Sequence, residues 1–426
     1  MKLNYKKTIL VGFAFFLISA FWQAYDKTIP LLLEYKFGMT QTESGIVMSL
    51  DNVLAVFMLP LFGGLSDRVN SKFGRRTIFI FFGTICAIIS FIFVPLIGNV
   101  WVFIGVLLIT LISMATFRSP AVALMPDVTV KPLRSKGNAI INLMGTAGGL
   151  LVLGLGIVIK VGKDFMQNFM PYYIGVCVIM LFGLIMFLLT VKENKWAKEM
   201  LEDSKKFGVE EEQVEEKSTG KALDKAQLKS LLLILASVAL WYMGYNAITS
   251  KYSLYADKVL NQSYDVTLLI AQAGAIVAYI PVGMLATKLG RRKTILSGVL
   301  MLATSFFIAI FMTADSSPVF MYVLFALAGI AWATINVNSF PMVVELAKAG
   351  DTGKYTGWYY TASMSAQVIT PILSGAIMDL AGNMSPLFPY ASICVALAFV
   401  TMFFVKHGDS KPEAKKSALE NFDIDD

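Results

Sequence analysis

The chain has 426 residues, of which 56% are apolar and only 15% are charged, with 36 Lys and Arg against 29 Asp and Glu. A soluble domain averages about 45–50% apolar and about 25% charged residues. The charges are also concentrated, since 18 of them lie in residues 192–228 and 9 in residues 407–426. Too few remain elsewhere to cover a soluble surface, so the composition indicates an integral membrane protein.

The residue inventory argues against several kinds of chemistry. The single histidine, His407, leaves no Ser-His-Asp or Cys-His pair and no histidine-based metal cluster inside the fold. The cysteines Cys86, Cys177 and Cys394 lie far apart in apolar stretches, as small buried residues do. The net charge of +7 is assigned to membrane topology rather than to nucleic-acid binding. We therefore predict that the protein is not an enzyme and has no metal, cofactor or nucleic-acid partner.

Twelve apolar runs are long enough to cross a bilayer, which takes about 20 residues of helix. The predicted spans cover 8–34, 42–67, 77–96, 101–124, 138–159, 170–191, 229–256, 264–286, 294–313, 318–346, 355–380 and 386–406. The first run is interpreted as a retained helix rather than a signal peptide, because no small-residue cleavage site follows it. The spans form two groups of six on either side of a charged stretch.

The loops predict the orientation of the chain. The loops on the side of the termini carry sixteen Lys and Arg, whereas the opposite loops carry five, with Lys27 just inside the membrane. The positive-inside rule then places both termini in the cytoplasm and the protein in the cell membrane.

The charged stretch separates two predicted domains. Residues 192–228 contain eight basic and ten acidic residues and are predicted to form a cytoplasmic linker, partly helical, that acts as a plain tether or as a site for a regulatory partner. The predicted domains are a six-helix bundle over 1–191, the linker over 192–228, a second six-helix bundle over 229–406 and a cytoplasmic tail over 407–426.

The two halves repeat each other at a nearly constant offset of 219 to 221 residues. The matched pairs are Trp22 and Trp241, Tyr25 and Tyr245, Gly64 and Gly283, Pro120 and Pro341, and Gly137 and Gly357. Each half also has a Gly-Arg-Arg after its second span, at 74–76 and 290–292. A parallel six-plus-six repeat of this kind is the layout of the major facilitator transporters, so we predict an all-α membrane protein with that fold.

The loop after the second span carries the most specific motif. The sequence Gly-Gly-Leu-Ser-Asp-Arg at 63–68, followed by Gly-Arg-Arg at 74–76, resembles the loop signature of the major facilitator superfamily. The resemblance implies a gating role, in which glycine permits close helix packing and Asp67 pairs with an arginine or a helix N-terminus in one state. The alternative is that the basic residues only fix topology. The predicted gating residues are Gly64, Asp67, Arg68, Gly74, Arg75, Arg76, Asp127 and Arg134.

A second motif narrows the resemblance. Residues 118–127, with Arg118 at their start and Asp127 at their end, are similar to the sucrose–proton and glycoside–cation symporter group. The plant sucrose carriers have an arginine where this chain has Val122, and Arg118 lies one helical turn earlier. A sugar substrate is implied, although this departure weakens the case for sucrose itself.

Among the acidic residues within predicted spans, where a charge is costly and usually functional, Asp51 and Asp26 are the candidates for coupling. Asp51 is about nine residues from the end of its span, roughly 14 Å deep at 1.5 Å per residue. We predict that Asp51, with Asp26, couples transport to a proton. A structural carboxylate paired with Arg118 or a neighbouring amide is the alternative for Asp51, and an exposed helix-end position is the alternative for Asp26.

Aromatic and amide side chains on spans one, four, seven and ten complete the predicted site, because the resemblance implies that these spans line the cavity. Aromatic faces cover the C–H surfaces of sugars, and amides match their hydroxyls. The predicted substrate residues are Trp22, Gln23, Tyr25, Arg118, Trp241, Tyr245, Asn246, Asn336 and Asn338. The alternative is that the aromatics form interfacial belts. We predict a monomeric proton symporter of a disaccharide or glycoside, with a drug or metabolite exporter working by proton antiport as the alternative.

Overall fold

A computed structural model describes residues 3–130, 133–206, 224–344, 346 and 352–407. These residues contain helices and turns but no strand. The α-helices are α1 Tyr5–Val11, α2 Phe13–Tyr35, α3 Gln41–Arg68, α4 Thr77–Phe93, α5 Val100–Val128, α6 Arg134–Val158, α7 Phe169–Thr190, α8 Glu193–Lys206, α9 Lys225–Tyr255, α10 Tyr264–Leu289, α11 Arg291–Ala309, α12 Pro318–Val344, α13 Thr352–Ala381 and α14 Leu387–Phe403.

Each of the twelve predicted spans coincides with a helix. Across the described residues, 11 helical stretches are long and apolar enough to cross a membrane, with α1 and α2 together forming the stretch Tyr5–Tyr35. The helix α14 is equally apolar but has 17 residues. Many large apolar side chains on these helices stay exposed, such as Leu189 at 74% and Leu380 at 89%. Such a surface is stable in lipid, where helices satisfy their own backbone hydrogen bonds.

The first structural unit comprises Met1–Gly38 and Leu50–Glu212. Within it α2 packs against α6 and α7, and α4 packs against α5. Small residues allow the backbones to touch: a Cβ added at Gly148 of α6 would lie 2.3 Å from the carbonyl oxygen of Phe16 on α2. This close packing is typical of helix association in membranes.

The second structural unit comprises Met39–Ser49 and Gln213–Asp426. Here α12 packs against α10 and α11, and α9 packs against α13 and α14. A Cβ at Gly329 of α12 would lie 1.9 Å from the carbonyl oxygen of Ala271 on α10, so only glycine fits at this crossing. The first turns of α3, up to Ser49, also belong to this unit, whereas the rest of α3 belongs to the first unit.

The described part of the predicted linker forms the amphipathic helix α8, which packs on α5. Trp196 and Met200 are each 8% exposed on its inner face. On the same side Lys7 forms an ion pair with Glu199, and its ammonium lies 5.6 Å from the centre of the Trp196 ring. The described start of the linker is thus helical and attached to the first unit. Residues 207–223 and the tail beyond 407 lie outside the described residues.

Candidate functional site

Within the first unit, three helices bring polar and aromatic side chains to one place. The helix α2 carries Trp22, Gln23, Tyr25 and Asp26, α3 carries Asp51, and α5 carries Arg118. The spacing of the α2 residues puts them on adjoining faces of a single helical turn. The first unit thus gathers both predicted coupling acids and four of the predicted substrate residues.

Asp51 is held mainly by its neighbour in the chain. Its Oδ1 accepts hydrogen bonds from the backbone nitrogen of Asn52 at 2.6 Å and from Nδ2 of Asn52 at 2.8 Å. The positive charge of Arg118 acts on Asp51, but in the described part of the chain no nitrogen of Arg118 lies within 4.0 Å of a carboxylate oxygen. Asp51 therefore has an amide partner and a distant positive charge rather than a closed ion pair.

Asp51 also interacts electrostatically with Asp26 and with the hydroxyl of Tyr25, which is fully buried. Two carboxylates in one low-dielectric site disfavour double ionisation, because each negative charge repels the other. Asp51, Asp26 and Tyr25 therefore form one cluster of interacting groups. Asp26 is partly exposed, and its role in coupling stays a prediction.

Arg118 lies over an aromatic face. Its guanidinium carbon is 5.9 Å from the centre of the Trp22 ring, and Trp22 meets Tyr25 edge to face at 5.3 Å. A guanidinium at this distance from an indole makes a cation–π contact. The five donors of Arg118 lie beside an aromatic surface, an arrangement that suits a ligand rich in hydroxyl groups.

The second unit contains an aromatic pair that the sequence prediction identified only in part. Tyr245 of α9 stacks on Trp332 of α12 with ring centres 3.7 Å apart and planes 8° apart, and Tyr242 meets Trp332 edge to face at 5.3 Å. Trp332 was not among the predicted residues. Its position one helical turn before Asn336 was the available signal.

The remaining predicted substrate residues of the second unit divide into two groups. Asn246 and Asn336 are partly exposed, and Nδ2 of Asn246 donates to the carbonyl oxygen of Tyr242 at 2.9 Å. By contrast, Trp241 and Asn338 are fully buried, and Nδ2 of Asn338 donates to the carbonyl oxygen of Thr334 at 3.0 Å. Only the first group is partly exposed, and the roles of all four stay predictions.

The predicted gating residues form a charge cluster around Arg76, whose side chain is 5% exposed. Its guanidinium donates to Asp127 Oδ2 at 2.8 Å and also to Asp67 and Ser66. Burial alone would lower the pKa of Arg76, but hydrogen bonds and charges from Asp127 and Asp67 outweigh it and raise this pKa. Arg75 adds an ion pair to Asp127 Oδ1 at 2.8 Å. The cluster is therefore a charged network held within the first unit.

The other predicted gating residues lie outside this charge cluster. Gly74 has a φ of 119°, a conformation that other residues rarely adopt, and it ends the loop before α4. A Cβ at Gly63 would lie 2.7 Å from Oγ of Ser119, whereas one at Gly64 would meet nothing within 4 Å. Of the two glycines of the motif, Gly63 makes the close approach, and the gating role of Gly64 stays a prediction. Arg134 donates to the carbonyl oxygens of Thr129 and Pro126, and Arg68 is exposed.

Glu193 joins this network although the sequence analysis treated it only as part of the linker. Its carboxylate accepts from the backbone nitrogens of Arg76 and Thr77 at 2.9 and 2.8 Å and from Thr77 Oγ1 at 2.7 Å. Glu193 is 2% exposed and caps the N-terminus of α4. No local motif indicates a cap that comes from more than 100 residues away.

The fold and its polar clusters define a multi-pass membrane transporter, and comparisons with known proteins give its family. The family model of the Major Facilitator Superfamily matches residues 11–279 and 262–422. The chain therefore belongs to the major facilitator superfamily, and the predicted all-α fold is confirmed.

The individual relatives are distant. The MFS-type transporter ppzB of Metarhizium rileyi (strain RCEF 4871) is 27% identical over 137 residues, which cover 32% of this chain and 28% of that protein. The inward-open xylose transporter XylE from E. coli has a TM-score of 0.69 at 14% identity, with 96% of this chain and 98% of that chain covered. A point mutant of the nucleoside transporter NupG has a TM-score of 0.65 at 13% identity, with 93% and 99% covered. At such identities the similarity to the solved structures establishes the fold.

Proposed function

We propose that the protein is a proton-coupled symporter that imports a disaccharide or glycoside by alternating access. The observation that carries the proposal is the cluster of the first unit, in which Asp26, Asp51 and Tyr25 interact electrostatically beside Arg118. A transporter of sugar alone has no need of two interacting acids inside the membrane, where each charge is expensive. The resemblance of residues 118–127 to the sucrose and glycoside symporters supports the same assignment.

In this proposal Asp51 takes up and releases the coupled proton. Its hydrogen bonds from Asn52 stabilise the carboxylate, and Asp26 lies near enough to interact with it electrostatically. Arg118 is near enough to influence the carboxylate but makes no closed ion pair, so Asp51 keeps an oxygen available for a proton. A membrane potential of 100 mV adds about 2.3 kcal/mol of driving force for each proton that enters.

The sugar is recognised by aromatic faces and amides. The stacked Tyr245 and Trp332 offer an aromatic surface for the C–H face of a sugar ring, and Asn246 and Asn336 are partly exposed amides on the same two helices. In the first unit Trp22, Gln23 and Arg118 supply an indole, an amide and a guanidinium. Such a set suits an uncharged, hydroxyl-rich solute.

The proposal includes the cellular setting. The protein lies in the plasma membrane with both termini in the cytoplasm, since the basic residues concentrate in the loops on the side of the termini. The protein works as a monomer without a cofactor and has no enzymatic activity. The cluster of Arg76, Asp67 and Asp127 then lies at the cytoplasmic face, where it regulates opening. The domain limits 1–191, 192–228, 229–406 and 407–426 belong to this proposal.

A second candidate is an exporter of drugs or metabolites that exchanges its substrate for protons. Membership of the major facilitator superfamily and the two interacting acids Asp26 and Asp51 fit this candidate as well as the symporter. The two candidates differ in the direction of proton movement when substrate is added outside.

Thermal unfolding of the purified protein with a panel of ligands tests the substrate class. A ligand that binds only the folded protein raises the free energy of unfolding, by about 2.7 kcal/mol at a hundredfold excess over Kd. The Tm rises with it. We expect disaccharides or glycosides to raise the Tm and peptides and nucleosides to leave it unchanged. Stabilisation by apolar cations without any response to sugars would favour the exporter.

A further inference from the structure

The N-terminus of α3 receives its hydrogen bonds from two sources. Thr40 and Glu43 cap each other, since the backbone nitrogen of Thr40 donates to Glu43 Oε2 at 2.8 Å and that of Glu43 donates to Thr40 Oγ1 at 3.2 Å. The backbone nitrogens of Gln41 and Thr42 donate instead to the two carboxylate oxygens of Asp379, at 2.8 and 2.7 Å. Oγ1 of Thr42 donates to Asp379 Oδ2 as well, at 2.5 Å. All four backbone donors are satisfied, two of them by the end of α13.

The same contact brings helix backbones together within the second unit. A Cβ at Gly375 of α13 would lie 2.2 Å from the carbonyl oxygen of Gln41, and one at Gly45 would lie 2.0 Å from that of Pro371. The fully buried Lys251 of α9 donates from Nζ to the carbonyl oxygen of Gln41 at 2.6 Å. Hydrogen bonds and close packing thus fix the first turns of α3 against α13 and α9.

This contact divides α3 between two bodies. Met39–Ser49 is grouped with the second unit, whereas α3 from Leu50 onward is grouped with the first. The connection between α2 and α3 lies at the end of α2 opposite the chain's first residues, which is the outer face in the topology proposed above. Release of these first turns from α13 frees the start of α3 from the contacts that hold it in the second unit.

We propose that Asp379 is the latch of an outer gate, which holds the first turns of α3 on α13 and releases them when the outer side opens. The inference rests on the proposed alternating access and adds the residues that control one of its steps. The carboxylate is the part of the contact that can be released, because Asp379 is exposed and water can replace it as the acceptor. The mutual cap of Thr40 and Glu43 stays with α3, so the helix end survives the release.

Accessibility of a cysteine at Ser44 tests the latch. Ser44 is 1% exposed in the docked contact and becomes accessible to a membrane-impermeant maleimide, added from outside, only when α3 leaves α13. The parent is a Ser44→Cys protein in which Cys86, Cys177 and Cys394 are replaced. Asp379→Asn removes the negative charge and replaces one acceptor oxygen with an NH2 group, which is a donor. We therefore expect labelling about fivefold faster than in the parent.

Matched control variants make the result decisive. Asp315→Asn changes an exposed carboxylate in the α11–α12 loop, and Gly357→Ala adds a Cβ that meets nothing within 4 Å, so both should label at the parental rate. Gly375→Ala forces the helices apart and should label faster, which shows that the assay detects release. Unchanged labelling in Asp379→Asn at normal yield would overturn the latch. No substrate is present, so an incorrect substrate class leaves this result interpretable.

Discussion

At the scale of single residues, Asp51 combines the properties that a proton-coupling group requires. It accepts hydrogen bonds from the neighbouring Asn52, its negative charge acts on Asp26, and the positive charge of Arg118 acts on it. Within the described residues it forms no ion pair with Arg118. A carboxylate locked in a buried ion pair loses several kcal/mol when it is protonated, whereas in the described part of the chain Asp51 has no such pair with Arg118 to break.

Asp51→Asn is expected to abolish accumulation of substrate against a gradient while leaving exchange and binding measurable. The amide keeps the shape of the side chain but binds no proton. Uptake and counterflow into proteoliposomes with an imposed pH gradient measure the two activities separately. Asp164→Asn, which changes an exposed carboxylate of the first unit, is the matched control and should behave as the parent. Accumulation by Asp51→Asn at normal yield would exclude Asp51 as the coupling group.

Trp332→Ala is expected to weaken sugar binding about three- to tenfold, because aromatic contacts contribute about 0.5–1.5 kcal/mol beyond their buried area. Trp332→Phe, which keeps a stacking face, should lose less. Trp101, which is 77% exposed, offers a control in Trp101→Ala. Binding is measured by titration of the purified parent and variants, and equal affinities in all four would remove the stacked pair from the binding site.

The aromatic pair also shows where sequence reasoning succeeds and where it stops. Tyr245 was predicted from its internal repeat partner Tyr25, because a repeat is visible in one sequence. Trp332 was missed because its stacking on Tyr245 depends on how α9 and α12 pack. Its position one turn before Asn336 places it on the same side of α12 but does not specify a partner on α9. Trp241 illustrates the reverse, since it has the same repeat evidence as Tyr245 yet is fully buried.

At the scale of elements, the start of α4 depends on a carboxylate from α8. Glu193 satisfies the first backbone donors of α4 and is buried beside Arg76. The spans themselves were predictable, because about 20 apolar residues in a row specify a membrane helix whatever surrounds them. The cap of α4 was not predictable, since Glu193 and Thr77 are 116 residues apart and only the packed unit brings them together.

Glu193→Ala is expected to lower the Tm by about 2–4 °C, because it leaves buried backbone donors of α4 without an acceptor. Glu202→Ala removes an exposed carboxylate from the same helix and should leave the Tm unchanged. Unfolding of both variants is followed by the same thermal assay in detergent. Equal Tm values for Glu193→Ala and Glu202→Ala would show that water satisfies the backbone donors at the N-terminus of α4 when Glu193 is absent.

Asp67→Asn is expected to shift the protein toward its inward-open state and to reduce turnover, while Asp67→Glu retains part of the activity. The Asp67 side chain is 58% exposed, so its contact with Arg76 is worth about 1 kcal/mol and the shift is about fivefold. A cysteine at Ala139, which is fully buried, reports the change through labelling from the cytoplasmic side. Asp203→Asn is an exposed control on α8. Labelling at the parental rate together with normal transport would show that the basic residues of this loop only determine the orientation of the chain in the membrane.

At the scale of the whole molecule, the sequence repeat and the superfamily fold agree, and the twelve predicted spans all coincide with helices. The predicted domain limits stay a prediction, and the two structural units divide the chain between Glu212 and Gln213. The exception is Met39–Ser49, which precedes the linker but is grouped with the second unit. That assignment follows from the contacts of Gln41 and Thr42 with Asp379, more than 330 residues away, which no local pattern encodes.

The central claim is proton symport of a sugar, and the pH of the medium around de-energised cells that express the protein tests it most directly. Addition of a transported disaccharide or glycoside should make the medium more alkaline within seconds, because each sugar enters with a proton. A protonophore should abolish the signal, and Asp51→Asn should lack it at equal expression. Acidification on addition of substrate, or sugar entry without any proton movement, would contradict the account.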